Sequence, residues 1–598
     1  MNASPTRERH DLSGFWRGRL TLNPALDVAA PAALERDFWL PLPWNLQVED
    51  LKWPRPDQEL SGIVTPVQNQ NFREWQRKFA EGTIVLRRRV ACRAPKGRRV
   101  FAVFEGSNYR TALRVNGQTA GEHEGGHLAF EFEVTSLLLE GENDLEIEVD
   151  NLRRKDACPQ EQFNWQNYGG VYRDFYLEAR PPRFIRHCLV RPGRDAQGWF
   201  ADVEVALDAP VDGEVEVEIT SGSVVGRAKG VPRGGSWAGR VRMAKEPVVW
   251  EPGAGGLSGY RVALAGRDGG RDEVAGHFGF RTVELVGGRV HLNGRAIRIL
   301  GAAWHEQHPA FGNSVPAWQS VRDLRLMKQC GLNAVRTAHY PYAQGFYEAC
   351  DREGMLCVTE MPCWQFNAHH FASPSMLAFC KRHAVGMVEQ LGNHPSLIGW
   401  AIQTESSTFE PGAAAFFGEI GKVFKERDPT RFTMASESPA PPEHLAVVKK
   451  VSRVPSGSPP PTHACVDVFG MNDYSGWYAE KSDYLPKLLD HMHAQLPGKA
   501  MMVTEFGAEG IPGQRSLSLA PWTEDYQAEL IVRHVSEILK RDWVAGFFLW
   551  LFMDYECASI GIRGINAKGL VDEFRRPKLA FNALKRLLEE AAAHPVSR

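Results

Sequence analysis

Ala500-Met501-Met502-Val503-Thr504-Glu505 is an apolar run that ends on two polar residues. A helical pattern from Thr523 to Lys540 follows it, and then a second apolar run, Gly546-Phe547-Phe548-Leu549-Trp550-Leu551. Short apolar runs bounded by polar residues read as strands buried on both faces, and the longer amphipathic stretch between them reads as a helix. The same alternation extends back to about Val286. The other strand candidates are Ile297 to Ala302, Asn333 to Thr337, Leu356 to Thr359, Leu397 to Ile402, Phe432 to Ala435 and Val466 to Met471. Helical stretches between them include Val315 to Cys330, Ala343 to Glu353 and Met376 to Leu391. Eight strands alternating with helices over about 310 residues predict a (β/α)8 TIM barrel over residues 286–598. The Pro- and Ser-rich stretch from Pro439 to Pro461 reads as a long exposed loop.

The residues before the barrel read as all-β. Thr83 to Val90, Arg99 to Phe104, Arg110 to Val115, Leu128 to Val134 and Asp144 to Val149 are short strands between turn residues, and the last of them alternates strictly. Val115-Asn116-Gly117-Gln118 predicts a hairpin whose two turn residues need positive φ. This pattern predicts a jelly roll over 1–181. Pro181-Pro182 cannot continue a strand ladder and reads as a linker. The next β-rich stretch predicts an immunoglobulin-like sandwich over 182–285 that serves as scaffold.

The chain has 598 residues, with 70 Lys+Arg against 72 Asp+Glu, a net charge of −2. That balance offers nothing to nucleic acid or to an anionic membrane. Hydrophobic residues at 43% and charged residues at 24% fit an ordinary globular protein. The 17 tryptophans suit sugar platforms, but burial in β-rich cores accounts for them more simply. No window carries the run of about 18 apolar residues that a membrane span needs. The polar stretch Met1 to Asp11 does not read as a secretory signal. Ten cysteines are scattered with no close pair, which predicts reduced thiols and a cytoplasmic location. His305-Glu306-Gln307-His308 is one residue short of the HExxH spacing, so no metal is expected there.

Barrel enzymes place their chemistry at the C-terminal ends of the strands. Glu405 and Glu505 end the fourth and seventh candidates, and two carboxylates facing one cavity are what glycoside hydrolysis requires. Either could instead be a solvated surface acid. His339 follows the second strand and could partner a carboxylate. Arg336, inside that strand, reads as support for a carboxylate, and Asp554 could hold a loop.

The ordered motifs along the chain resemble glycoside hydrolase family 2, most closely its β-glucuronidases. They include Leu12-Ser13-Gly14-Phe15-Trp16, His123-Glu124-Gly125-Gly126-His127 and Tyr168-Gly169-Gly170-Val171-Tyr172-Arg173 in the first domain. In the barrel they include Leu292-Asn293-Gly294, Asn333-Ala334-Val335-Arg336-Thr337-Ala338-His339-Tyr340-Pro341 and Gly392-Asn393-His394-Pro395-Ser396. The resemblance implies a retaining exo-acting β-glycosidase without cofactor, with Glu405 as general acid/base and Glu505 as nucleophile. It implies substrate contacts from Asn472, Tyr474 and Tyr478, a sugar platform at Trp550, and contacts from Asn164 and His339. It also implies that Asn566 and Lys568, in Gly564-Ile565-Asn566-Ala567-Lys568-Gly569, hold a sugar carboxylate.

Two positions depart from the family pattern. Thr404 stands where the family has the Asn that reads the sugar 2-OH, and Gln403 should point to the opposite face. Asn164 stands where glucuronidases have an acid. A β-galacturonidase, a β-galactosidase or a carbohydrate-binding protein with a weakened site therefore remain alternatives. The expected partner is a glycoside, with a uronide favoured, and assembly into a homo-oligomer is compatible with this reading.

Overall fold

The computed structural model describes residues 4–23, 33–48, 80–438, 459–478, 484–557 and 564–593. Most of the Pro/Ser-rich stretch, 439–458, lies outside them, and its far end forms a short 3-10 turn, Pro461–Cys465. A six-stranded and a four-stranded antiparallel sheet build the first domain. Alternation in Glu142–Asp150 buries Leu145, Ile147 and Val149 against Trp16, Leu86, Phe104 and Leu113. Asn116 and Gly117 take φ of 51° and 80°, closing the hairpin in which Val115 faces Gln118. A second pair of sheets, three- and four-stranded, forms the sandwich over Ile185–Phe278, with Trp199, Val203, Val217, Ile219 and Val262 inside.

The barrel strands are β1 (Ile299–Trp304), β2 (Ala334–Thr337), β3 (Leu356–Glu360), β4 (Leu397–Thr404), β5 (Phe432–Glu437), β6 (Val468–Asn472), β7 (Ala500–Glu505) and β8 (Val544–Leu549). All pair in parallel, and β1 closes the ring on β8 with Ile299 opposite Gly546. The eight runs read from the sequence overlap these strands, with most ends differing by one or two residues. Arg295–Ile297 belongs to a three-stranded antiparallel sheet of its own, with Val283–Val286 and Arg289–Leu292, so β1 begins at Ile299. The last strand ends at Leu549, which puts Trp550 just beyond it rather than inside.

Apolar side chains of Ile299, Val358, Ile398, Met434, Val468, Met502 and Phe548 fill one end of the barrel. Four of the strands end on Glu360, Thr404, Asn472 and Glu505, so polar groups gather at the other end. Local chemistry fixes the helices around the ring. Ser373 caps the helix Pro374–Leu391 by accepting from the Met376 N–H at 3.2 Å, with Pro374 in its first turn. Thr523 caps Glu524–Leu539 in the same way, with Glu524 and Asp525 at the positive end of the helix dipole. Gly354 at φ 65° ends Gln344–Glu353.

The first domain is bolted to the barrel mouth by a buried ion pair. Arg173 reaches Glu306 at 2.6 Å, and Glu306 also accepts from the Ala343 N–H at 2.8 Å.

Candidate active site

Glu505 is the last residue of β7 and Glu405 follows β4 directly. Arg336, fully buried on β2, donates from Nη1 to Glu505 Oε1 at 3.1 Å and from Nη2 to Thr404 Oγ1 at 3.1 Å, and it also pairs with Glu360. Tyr474 donates to the other oxygen of Glu505 at 2.8 Å. Glu405 accepts from the Asn472 amide at 3.0 Å and from Gln365 at 3.4 Å. The Asn472 carbonyl oxygen accepts from Thr504 at 2.7 Å. Strand β6 and the turn after it thus hold both carboxylates: Asn472 reaches one and Tyr474 the other.

Burial pushes the Glu505 carboxyl up to about 7; the Arg336 charge opposes this, and the nearby Glu405 adds to it. Arg336 pays a desolvation penalty, but the Glu360 and Glu505 carboxylates outweigh it and hold the guanidinium firmly charged. Glu360 behaves conversely. Burial would raise it, yet Arg336 and then His339, whose Nδ1 lies 2.7 Å away, keep it below its usual range. His339 and Arg336 therefore both support carboxylates, as the sequence suggested for Arg336. Glu405 takes φ of 52°, in the left-handed region that costs a non-glycine residue about 1 kcal/mol or more.

Thr404 turns inward. Its Oγ1 accepts from Arg336 and donates to Glu360 at 3.3 Å, leaving one acceptor lone pair. Gln403 points the other way and donates to Glu437 at 2.8 Å.

The aromatic wall is shared between domains. Trp550 stacks on His339 at 5.1 Å and 12°, and it meets His305 edge-on at 5.5 Å. Trp165, from a first-domain loop, comes within 5.6 Å of His339 and 5.8 Å of Trp364. Next to it, the buried Oδ1 of Asn164 has no hydrogen-bond partner among the described residues. Both ring nitrogens of His305 are likewise buried and unpaired, and burial keeps that ring neutral. Buried polar atoms without partners are rare in folded proteins, and groups of them at a barrel mouth suit a hydroxyl-bearing ligand.

Lys568 is completely buried. It donates to the Tyr478 hydroxyl at 2.9 Å and to Glu509 at 3.2 Å, and it sits 4.9 to 5.7 Å from the rings of Tyr478, Trp477 and Tyr474. The Asn566 carbonyl oxygen accepts from the Lys568 N–H at 3.2 Å, closing the turn that aims the lysine. Asp554 holds this loop, as expected, by accepting from Gly569 N–H and from Lys578, both at 2.8 Å.

Sequence reasoning missed Glu360, Glu437, Glu509 and the buried, unpaired ring of His305. Glu360 and Glu437 are the last residues of β3 and β5, so the strand-end rule applied to every strand would have found them. Glu509 carried no signal beyond its place four residues after Glu505. Burial pushes Glu437 up to about 7. Two carboxylates held by different partners, beside a wall of indole and imidazole, can perform proton transfer and nucleophilic displacement on a sugar.

Residues 283–592 match the family model described as glycosyl hydrolases family 2, TIM barrel domain, and residues 74–181 match the sugar binding domain of the same family. A β-glucuronidase of Paenibacillus borealis is 26% identical over 551 residues, covering 85% of this chain and 87% of the relative. A β-glucuronidase of Canis lupus familiaris is 24% identical over 621 residues, covering 97% and 91%. The crystal structure of a β-galacturonidase from Eisenbergiella tayi bound to galacturonate superposes with a TM-score of 0.81 at 24% identity, covering 99% of this chain and 98% of that one, and shows a shared fold.

Proposed function

Since the chain belongs to glycoside hydrolase family 2, and is therefore a glycoside hydrolase, we propose that it is a retaining, exo-acting β-glucuronidase of the cytoplasm. The observation that carries this reading is the pairing of Glu505 with Arg336 and Tyr474, set against Glu405 with Asn472 and Gln365. An oxygen of Glu505 attacks the anomeric carbon while Glu405 gives its proton to the departing glycosidic oxygen. The alcohol leaves and a glycosyl ester on Glu505 remains. Glu405, now ionised, takes a proton from water, the hydroxide adds to the anomeric carbon, and Glu505 is released as carboxylate. Asn472 aims Glu405 throughout. Arg336 and Tyr474 stabilise Glu505 in its charged form, which counters the desolvation that burial imposes.

In this reading Trp550 stacks under the sugar, and Asn164, His305 and Tyr474 contact its hydroxyls. Thr404 offers its remaining lone pair to the 2-OH. Lys568, with Asn566 and Tyr478, receives the carboxylate at C6. The closeness to β-glucuronidases along most of the chain supports the glucuronide. The ten cysteines, none of them disulfide-bonded, support a reducing compartment. We place the domain borders at 181/182 and 285/286.

A second reading, β-galacturonidase, is favoured by Thr404 and Asn164, which alter the contacts a glucuronidase makes with the sugar ring. Chromogenic glycosides that differ only at C4 and C6 separate the two. The glucuronide should be cleaved with the highest kcat/KM. A preference for the galacturonide replaces the first reading, and a preference for a neutral hexoside removes both.

A further inference from the structure

The cysteines looked scattered in the sequence, but the fold brings three of them to one point. Cys158 lies in the first-domain loop that carries Asn164 and Trp165. Cys363 follows β3 and directly precedes Trp364. Cys380 faces inward from the helix Pro374–Leu391. Cys158 and Cys363 stand 205 residues apart in sequence, yet their sulfurs are 3.9 Å apart. The sulfurs of Cys363 and Cys380 are 3.8 Å apart, and all three lie within 4.8 Å of one another. Each side chain is at most 1% exposed.

We propose that Cys158, Cys363 and Cys380 form a thiolate site for a soft d10 cation, Zn(II) or Cu(I), that staples the first domain to the barrel mouth. Geometry argues for it. Sulfurs about 2.3 Å from a common metal are separated by roughly 3.8 Å in a tetrahedral arrangement and about 4.0 Å in a trigonal one. The Cys158–Cys363 and Cys363–Cys380 separations fall in that interval, and Cys158 and Cys380 lie within 4.8 Å of each other, so a metal enters once that third pair draws together. Donor chemistry argues for it too, because soft thiolate sulfur selects Zn(II) and Cu(I) over harder ions. Metal entry breaks the S–H bonds and sends one proton to solvent for each thiolate ligand formed.

The staple would act on the site through what surrounds it. The Cys363 carbonyl accepts from the Thr404 N–H at 3.1 Å, and the Ser406 hydroxyl donates to it at 3.4 Å, so this residue braces the turn around Glu405. The Tyr109 hydroxyl, accepting from the Cys158 N–H at 3.0 Å, anchors the loop from the other side. The inference is independent of which sugar the enzyme takes.

The test is to express the full chain in medium supplemented with Zn(II) or with copper under reducing conditions, so that loading occurs during folding and needs no entry path. Intact-mass measurement under native conditions and elemental analysis then give the metal content. About one ion per wild-type chain is expected. Cys158→Ser, Cys363→Ser and Cys380→Ser should each lose it, and Cys330→Ser should keep it. The zinc and copper arms identify which ion is held. Wild-type chain without metal overturns the proposal, even where a variant fails to fold. So does metal that persists in all three variants, which marks adventitious binding. A two-proton mass loss with no metal also overturns it, because the thiols then form a disulfide.

Discussion

The ammonium of Lys568 lies 3.2 Å from the Glu509 carboxylate, and both side chains are 1% exposed. The lysine thought to receive a sugar carboxylate is therefore already neutralised within the protein. An incoming uronate shares it with Glu509 and gains a charged hydrogen bond more than an unpaired cation. Removing Lys568 alone would strand Glu509 in the interior, so the clean variant changes both: Lys568→Met with Glu509→Gln. Its kcat/KM should fall about ten- to hundredfold for a uronide, the equivalent of about 1.5–3 kcal/mol. A neutral glycoside with the same leaving group should lose far less. Equal losses would make the lysine structural.

The two glutamates are told apart by stereochemistry. Glu505→Gly with azide should yield the α-glycosyl azide, and Glu405→Ala with azide the β-azide. Turnover without azide should be nearly abolished in Glu505→Gly. Products of the opposite hand would exchange the two roles.

As the proposed nucleophile Glu505 would have to be ionised to attack, and burial pushes its carboxyl up to about 7. kcat/KM should therefore fall as pH drops through about 7, where the free enzyme takes up this proton. The Tyr474 hydrogen bond favours the ionised form. Tyr474→Phe should accordingly move this acid limb to higher pH. A limb that stays in place or moves down would detach Tyr474 from the titration.

The Arg173–Glu306 pair is buried across the domain junction. Glu306→Ala leaves the buried guanidinium with the His127 and Pro341 carbonyls but no carboxylate, at a cost of about 3–5 kcal/mol. Thermal unfolding should shift clearly downward, and the unchanged midpoint of a surface control such as Glu419→Ala gives the comparison. A shift no larger than that control would show that water reaches the junction.

The barrel was readable because its parallel strands are buried on both faces and appear as uninterrupted apolar runs. Strand ends were less readable for the same reason. Ile297 prolongs the apolar run of β1 without belonging to it, and Trp550 prolongs β8. Glu405 and Glu505 stood out by position, and the roles suggested for Arg336, Gln403 and Asp554 agree with their contacts. Glu360 and Glu437 were legible by the same strand-end position and were passed over, whereas Glu509 is set apart among 72 acids only by burial and partners. The convergence of Cys158 with Cys363 spans two domains, and no local pattern in the chain encodes such a distance.

Trp165 and Asn164 enter the barrel mouth on a loop of another domain, while both carboxylates stay on barrel strands. In the proposed reading, part of the sugar wall thus comes from a stretch of polypeptide folded apart from the barrel that carries the two carboxylates and the carboxylate-reading Lys568. Replacing residues 157–165 with the equivalent loop of a relative would exchange part of the selectivity wall and leave the hydrolytic pair where it is. A chain so divided could change that part of the wall through its first domain, with the strands that place Glu405 and Glu505 left as they are.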